Sequence, residues 1–360
     1  MFAPKFQITP ALSKILMDIE GSRQTVADLP ITLQVLASLR DSARLVSTHY
    51  STQIEGNRLT QAQVADVLQG GSFPSRERDE REVRNYYQAL DHLDRLIKDA
   101  SSRIVETDVQ RLHGLVMDGK QQPTPHRDGQ NVIRDSGTGA IVYMPPEAAD
   151  VANLMGELID WNNAEIEKAE LPVPIIEAIA HYQFATIHPY YDGNGRTARL
   201  LTNLVLHKCG YGLKGIYSLE EYYARDLPAY YRALAIGESH NYYFGRAEAD
   251  ITGWVAYFCA GMADAFAKVR MKAAEAEKTH TQDHSHLLRE LDPRQKQVLV
   301  LFQESRFVTT RQIAELLGIH TRSALNLCKK WVASGFLIQH GQANKSRQYE
   351  LAEPWVSLVS

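Results

Sequence analysis

The sequence has 360 residues, 44% of them hydrophobic, and a formal net charge of −4, enough to bury one large core or two to three smaller ones without help from metals or disulfides. Its three cysteines, Cys209, Cys259 and Cys328, stand far apart in no Cys-x-x-Cys pair, which argues against a disulfide framework or zinc site and fits a reducing compartment. The first residues lack the apolar core of a secretion signal and no run approaches the length of a membrane span, so the expectation is a cytoplasmic protein with no membrane partner.

From 11 to 100 apolar positions recur every three and four residues, predicting helices interrupted at Pro30 and at Gly70-Gly71-Ser72-Phe73-Pro74. One helix is expected from Ile31 into the stretch Ser47 to Glu55, ended by Gly56-Asn57. Thr60 is placed to cap the next, Gln61 to Leu68. Arg81 to Ile97 follows with Val83, Tyr86, Leu90 and Leu93 on one side, and Thr107 can cap Asp108 to Met117. Between Gly119 and Pro146 the texture changes. Asn131-Val132-Ile133 and Ala140-Ile141-Val142-Tyr143 flank the turn signal at 135–139, a hairpin. Helices Glu147 to Trp161, Pro174 to Ile187, Gly195 to about Cys209, Leu227 to Gly237 and Ala249 to Ala274 come next. An Ala-, Glu- and Lys-rich connector then leads to the last segment.

That segment has its own pattern. A helix to about Ser305, Val308-Thr309-Thr310 leading into Arg311 to Leu317, a helix from Thr321 to Ser334, and strands Phe336-Leu337-Ile338 and Arg347 to Leu351 predict a winged helix-turn-helix. From Pro293 to Glu350 nine Lys and Arg stand against three acids, a local balance of +6 within a chain of net −4. Arg322, Lys329 and Lys330 on its third helix, with Lys345 and Arg347 in the wing, could meet DNA phosphates, although a solvated face or a dimer and substrate adaptor would satisfy the same charge.

The densest chemistry lies in His188-Pro189-Tyr190-Tyr191-Asp192-Gly193-Asn194-Gly195-Arg196-Thr197-Ala198-Arg199. Pro189 disfavours the α region for His188, so the preceding helix should stop there with the imidazole at the mouth of a loop. Asp192 to Gly195 is turn chemistry. Arg196 and Arg199 then fall in the first turns of a helix, where cations oppose the dipole unless an anion sits on the free N–H groups. A His–Asp pair in isolation is more often structural. A proton acceptor, an acid, a glycine turn and two arginines in twelve residues instead suggest a phosphate site.

This string resembles the signature of the Fic family, His-Pro-Phe-x-Asp/Glu-Gly-Asn-Gly-Arg-x-x-Arg, departing only by Tyr190 in place of Phe. The resemblance implies a protein adenylyltransferase that moves AMP from ATP to a Ser, Thr or Tyr hydroxyl. His188 would be the general base. Asp192 would hold Mg²⁺. Gly193, Asn194, Gly195, Arg196, Thr197 and Ala198 would cradle the phosphates, and Arg199 would reach the γ-phosphate. Ser51-Thr52-Gln53-Ile54-Glu55-Gly56 is similar to the family's inhibitory-helix motif, in which Glu55 would pair with Arg199. Ser51 and Gly56 complete that motif, and Glu55 could also orient water for removing AMP. The hairpin 131–143 resembles the flap that docks an extended target segment. Tyr230 matches a residue lining the adenine pocket, while Glu238 stands where relatives carry Asn.

The expected architecture is mainly α: an N-terminal helical region with the inhibitory motif (1–105), a Fic-type helical core with its hairpin flap (106–262), a helical linker (263–290) and a winged helix-turn-helix (291–360). The expected partners are ATP and a target hydroxyl, with self-modification, a homodimer and DNA also compatible with the sequence. Two rival functions stay open: transfer of another phosphate-bearing group, and a DNA-binding regulator that senses nucleotide through the Fic core.

Overall fold

Capping chemistry sets several of the helices where the sequence places them. The structure is a computed structural model, and it describes every residue except 1, 30, 32, 99–102, 135–136, 238, 280–286, 288–289, 342–346, 357 and 360. Two compact units divide the chain: Met1–Ala27 with Arg40–Arg270, and Asp28–Leu39 with Met271–Ser360.

The chain begins with α1 (Pro10–Asp28) and α2 (Leu33–Ile54), of which the first unit holds α1 up to Ala27 and α2 from Arg40 on. Past the end of α2, Gly56 turns the chain at φ 94°, a backbone that costs glycine nothing. Thr60 then caps α3 (Gln61–Leu68) through a full capping box, its side chain accepting from the Gln63 amide and the Gln63 side chain returning to the Thr60 amide. Next come α4 (Glu77–Lys98) and α5 (Glu106–Asp118). The expected Thr107 cap is not used. Val105, in extended backbone and without a side-chain bond, is the N-cap, and Thr107 lies inside the first turn.

Strands β1 (Ile133–Arg134) and β2 (Ile141–Tyr143) pair antiparallel, Ile133 opposite Tyr143, as the expected hairpin; turn residues 135 and 136 lie outside the described residues. α6 (Ala148–Lys168) runs seven residues past the expected Trp161. Asn162 and Asn163, poor helix formers by propensity, are buried there by tertiary bonds: Asn162 to Glu177, and Asn163 to both backbone groups of Ile104. α7 (Val173–Ile187) and α8 (Asn194–Lys208) are the central helices. Nearly every α7 residue from Pro174 to Ile187 is buried, and Leu112, Met155, Phe184, Leu200 and Leu204 pack in one core cluster with Tyr190. The unit closes with α9 (Glu220–Arg225), α10 (Leu227–Leu234) and α11 (Thr252–Thr279), of which only α9 had no counterpart in the sequence reading.

The second unit has the predicted order of α12 (Pro293–Glu304), α13 (Thr310–Leu316), α14 (Thr321–Ala333) and the hairpin β4 (Leu337–His340) with β5 (Gln348–Leu351). The lead-in residues Val308–Thr309 form an additional strand, β3, paired with β5 so that the sheet order is β3-β5-β4. A short α15 (Glu353–Val356) follows. Val298, Ile313, Cys328, Trp331 and Tyr349 form the core of this unit. The wing residue Lys345 and much of the expected linker lie outside the described residues. Among the described residues no helix is long and apolar enough to cross a membrane.

Candidate active site

Helix α7 ends on His188, which takes up a left-handed backbone (φ 52°, ψ 60°) with its amide bonded to Phe184 O at 3.0 Å. A non-glycine residue pays about 1 kcal/mol for that conformation, so something must hold it there. The Pro189 ring forbids the helix from continuing through it. Imidazole Nδ1 lies 3.4 Å from Ala185 O. A carbonyl can only accept, so in the neutral ring Nδ1 carries the proton and Nε2 is the free base. Burial pushes the His188 pKa down to about 4; the Ala185 carbonyl, Glu55 and Asp192 oppose the shift and Arg127 adds to it. The ring is therefore neutral at physiological pH.

After the Tyr190-Tyr191 turn the loop is braced from within. Asn194 spans it with two bonds, accepting from the Tyr190 amide at 3.0 Å and donating to Tyr190 O at 2.8 Å. Asn194 thus shapes the loop. The Tyr190 ring is buried and stacked on His113 at 3.6 Å between centroids. His113 Nε2 in turn meets Asp192 O at 2.9 Å.

Gly193, at φ 77°, is the N-cap of α8, and no side chain caps the helix. A Cβ there would meet Met117 Sδ at 2.7 Å and His113 Nε2 at 3.1 Å, so both backbone and space require glycine. No residue in the first turn of α8 is acidic, and N–H groups at such a helix start can receive an anion. Buried Thr197 and Ala198 form the wall behind this turn.

Two buried arginines flank it. Arg196 reaches Asp192 Oδ1 at 3.2 Å and Glu82 Oε1 at 3.9 Å, and its Nε has no hydrogen-bond partner. Asp192 is exposed, and its carboxylate bonds among the described residues, from the Gly193 amide and from Arg196, fall on Oδ1 and leave Oδ2 without a hydrogen bond there. Arg199 is the more constrained. Its Nε donates to Ser51 Oγ, and its Nη2 to Ser51 O and to Glu55 Oε1, all at 2.9 Å. Burial opposes the charge, yet the Glu55 carboxylate beside it lifts the guanidinium pKa above its ordinary value. The Glu55 carboxylate also packs against Gly195: a Cβ at that glycine would collide with Oε1. Gly56, just beyond, lets the chain turn away.

The sequence reading missed several contributors. Glu82 on α4 receives Arg78 at 3.0 Å and Asn57 at 3.3 Å, tying the chain just past Gly56 to the acid that faces Arg196. Glu220, fully buried, takes bonds from Ser47, Tyr86, Asn203 and Ser218 and so joins α2 to α4 and α8. No local pattern announces the bonds from Asn57, Ser47, Tyr86 and Asn203, because these partners are distant in sequence from the two glutamates. Tyr230 is buried with its hydroxyl 3.0 Å from His181 Nε2, while its neighbour Tyr231 is the exposed ring of the pair, bonded to Ile54 O at 3.3 Å. Glu238 lies outside the described residues. Beside the loop, the flap leaves Ile141 and Val142 exposed and anchors Tyr143 through its hydroxyl to Thr186 O at 2.7 Å.

A helix N-terminus without a side-chain cap, two buried arginines and a neutral histidine thus meet at the junction of α7 and α8. Residues 103–206 match the model of the Fic/DOC family, and the chain carries a Fic domain there. Among curated proteins the chain is similar to protein adenylyltransferase fic-1 of Caenorhabditis briggsae, 30% identical over 216 residues, covering 59% of this chain and 41% of that protein. It is likewise similar to protein adenylyltransferase Fic of Drosophila willistoni, 29% identical over 203 residues, 54% of this chain and 38% of that protein. The chain thus spans about two fifths of the length of these relatives. In fold it resembles a Fic family protein from Desulfovibrio desulfuricans G20 across 98% of this chain and 99% of that one, at 24% identity and a TM-score of 0.59.

Proposed function

We propose that this protein is an adenylyltransferase that moves AMP from ATP to a Ser, Thr or Tyr hydroxyl of a protein, and that Glu55 restrains it. The observation that carries the reading is the junction of α7 and α8, where a neutral histidine with a free Nε2 stands beside an uncapped helix N-terminus and two buried arginines. The names of the relatives support AMP as the group transferred.

In this reading the target hydroxyl gives its proton to His188 Nε2 as its oxygen bonds to the α-phosphorus, and pyrophosphate departs. The α8 amides and Arg196 take up the charge that builds on the phosphate oxygens. Mg²⁺ suits the residues present, because it commonly binds through one or two carboxylates together with substrate phosphates and water, and Asp192 offers Oδ2 beside the anion site. Bound there, it would neutralise phosphate charge; among the described residues no cluster of three or more His, Cys, Asp or Glu offers an all-protein metal cage.

Arg199 would pair with the γ-phosphate in the productive state, and Glu55 holds it instead. Ser51 supports that resting pair by accepting from Nε of the same arginine. The protein itself is one candidate acceptor, and the partly exposed Glu55 is placed to orient water for the reverse reaction.

Mass spectrometry after incubation with each nucleoside triphosphate in turn tests this. Addition of AMP, from ATP only, is expected in the Glu55→Gly variant. Addition of a bare phosphate or of another nucleotide would move the function to transfer of that group.

A second reading concerns the tail. Arg322, Lys329 and Lys330 are exposed on α14 and form no ion pair among the described residues, which supports a phosphate-binding face. A salt-dependent DNA gel shift lost on neutralising Arg322 and Lys329 would support it, and its absence at low salt would end it.

A further inference from the structure

One buried cation lies outside the phosphate site and yet touches the loop that carries the general base. Arg127 precedes the flap, is 3% exposed, and has no carboxylate partner among the described residues. Its guanidinium is spent on main-chain carbonyls from separate segments: Nε donates to His188 O at 3.0 Å, Nη1 to Gly129 O at 3.0 Å, and Nη2 to Pro146 O. Its own amide donates to Pro189 O at 2.9 Å. Residue 127 therefore holds both carbonyls of the His188-Pro189 step, while its side chain grips the two roots of the flap, 129 before β1 and 146 after β2.

A planar fork of five donors can serve three divergent carbonyls, whereas a lysine ammonium at the same depth cannot reach all of them. An unpaired buried cation is costly, so so specific a placement needs a reason. The left-handed backbone of His188 supplies one. That conformation is disfavoured for a residue with a side chain, and a charge-assisted bond to its carbonyl is a direct way of holding it.

We infer that Arg127 is a positioning residue for the proposed reaction, fixing the main chain of His188 and coupling it to the flap on which a target segment would dock. Arg127 touches no reacting atom. It acts through the carbonyl of the base, so that displacement of the flap roots is felt at Nε2. The inference rests on the adenylyltransferase reading, and its test keeps the two apart.

The charges around the imidazole give a readout that a merely structural role would not move. His188 faces Glu55 from just past the end of α2, Asp192 from its own loop and Arg127 from the flap root; burial and Arg127 lower its pKa, while the Ala185 carbonyl, Glu55 and Asp192 raise it. Arg127→Lys keeps a cation there and loses the three-way reach, and Arg127→Gln loses both.

Each change is made in the full chain carrying Glu55→Gly. Three properties are measured: the His188 titration by NMR of histidine-labelled protein, assigned with His188→Ala; kcat and KM for ATP in self-modification; and backbone hydrogen exchange. Both variants are expected to lose about 10- to 100-fold in kcat, with KM for ATP changed less than about threefold, as misplacement of a base by a fraction of an ångström would give. Only Arg127→Gln is expected to raise the His188 pKa. Hydrogen exchange should quicken at 129–134 and 141–146 in both. Wild-type kcat in both variants, or unchanged exchange at the flap roots together with an unchanged His188 titration, would overturn the inference. If the Glu55→Gly parent transfers no AMP, the adenylyltransferase reading fails, and the NMR and exchange measurements still decide whether Arg127 positions His188.

Discussion

Removing Glu55 should convert a resting protein into an active one, and the geometry sets how far. Its carboxylate lies 2.9 Å from Arg199 Nη2, and the arginine side chain is only 2% exposed. An exposed ion pair would contribute at most about 1 kcal/mol. A charge-assisted bond to a buried guanidinium is worth about 1.5–3 kcal/mol, because solvent cannot replace the lost partner. If Glu55 must leave Arg199 before a γ-phosphate can take its place, that free energy is the resting penalty. At about 1.4 kcal/mol per factor of ten, its removal should raise the rate of self-modification roughly 10- to 150-fold at subsaturating ATP. Arg199 would keep both bonds to Ser51, so the variant should stay folded, losing about 1–3 kcal/mol of stability. Incorporation of labelled AMP over a range of ATP concentrations measures the gain. A Glu55→Gly protein that modifies itself no faster than the parent at any ATP concentration would refute the inhibitory role.

His188→Ala should abolish AMP transfer in the Glu55→Gly background while leaving ATP affinity, measured by calorimetry, within about threefold, since a general base contributes to the transition state and not to phosphate binding. Because the His188 pKa is near 4, the acid limb of kcat/KM, which reports the free enzyme, should lie near that pH and leave the rate insensitive to this group from pH 6 to 8. Glu177 offers a test of the core. It is fully buried on α7, bonded among the described residues only by Asn162, and burial pushes its pKa up to about 8. A folded pKa above the unfolded one means stability present in full below about pH 4.5 and lost progressively as pH rises to about 8, a change of several kcal/mol. Denaturant titrations at pH 5 and 8 should show that fall, and Glu177→Gln should flatten it; parallel pH profiles for the two proteins would dismiss the protonated carboxyl.

Much of the site was legible because its chemistry is local. The string from His188 to Arg199 sets a proline stop, a glycine turn and a helix start in succession, and each is a short-range effect that survives folding unchanged. Thr60 and its helix were equally plain, since a capping box needs only four neighbouring residues. The overextension of α6 was not, because Asn162 and Asn163 are kept helical by Glu177 and Ile104, contacts that no window of sequence contains. The Thr107 cap failed for the opposite reason: a good local candidate lost to the extended backbone of Val105 two residues earlier. Arg127 was invisible for a third. Its acceptors are main-chain carbonyls, which every residue has, so nothing in their side chains points to it.

The competition at Arg199 also separates two ways in which Glu55 could restrain the protein. Pressed against Gly195, its carboxylate fills space that a bound polyphosphate would approach; paired with Arg199, it would block only the contact proposed for the γ-phosphate. A ligand shifts an equilibrium only through its differential affinity for the two states. ADP lacks the group that competes for Arg199, so if the ion pair is the restraint, ADP should bind the parent and the Glu55→Gly variant within about threefold of each other, while ATP tightens by about tenfold or more in the variant. If bulk against Gly195 is the restraint, both nucleotides should tighten alike. Glu55→Gln sharpens the contrast, since it keeps the volume and removes the charge: ATP affinity like that of Glu55→Gly assigns the restraint to the ion pair, and affinity like the parent assigns it to the space the side chain fills.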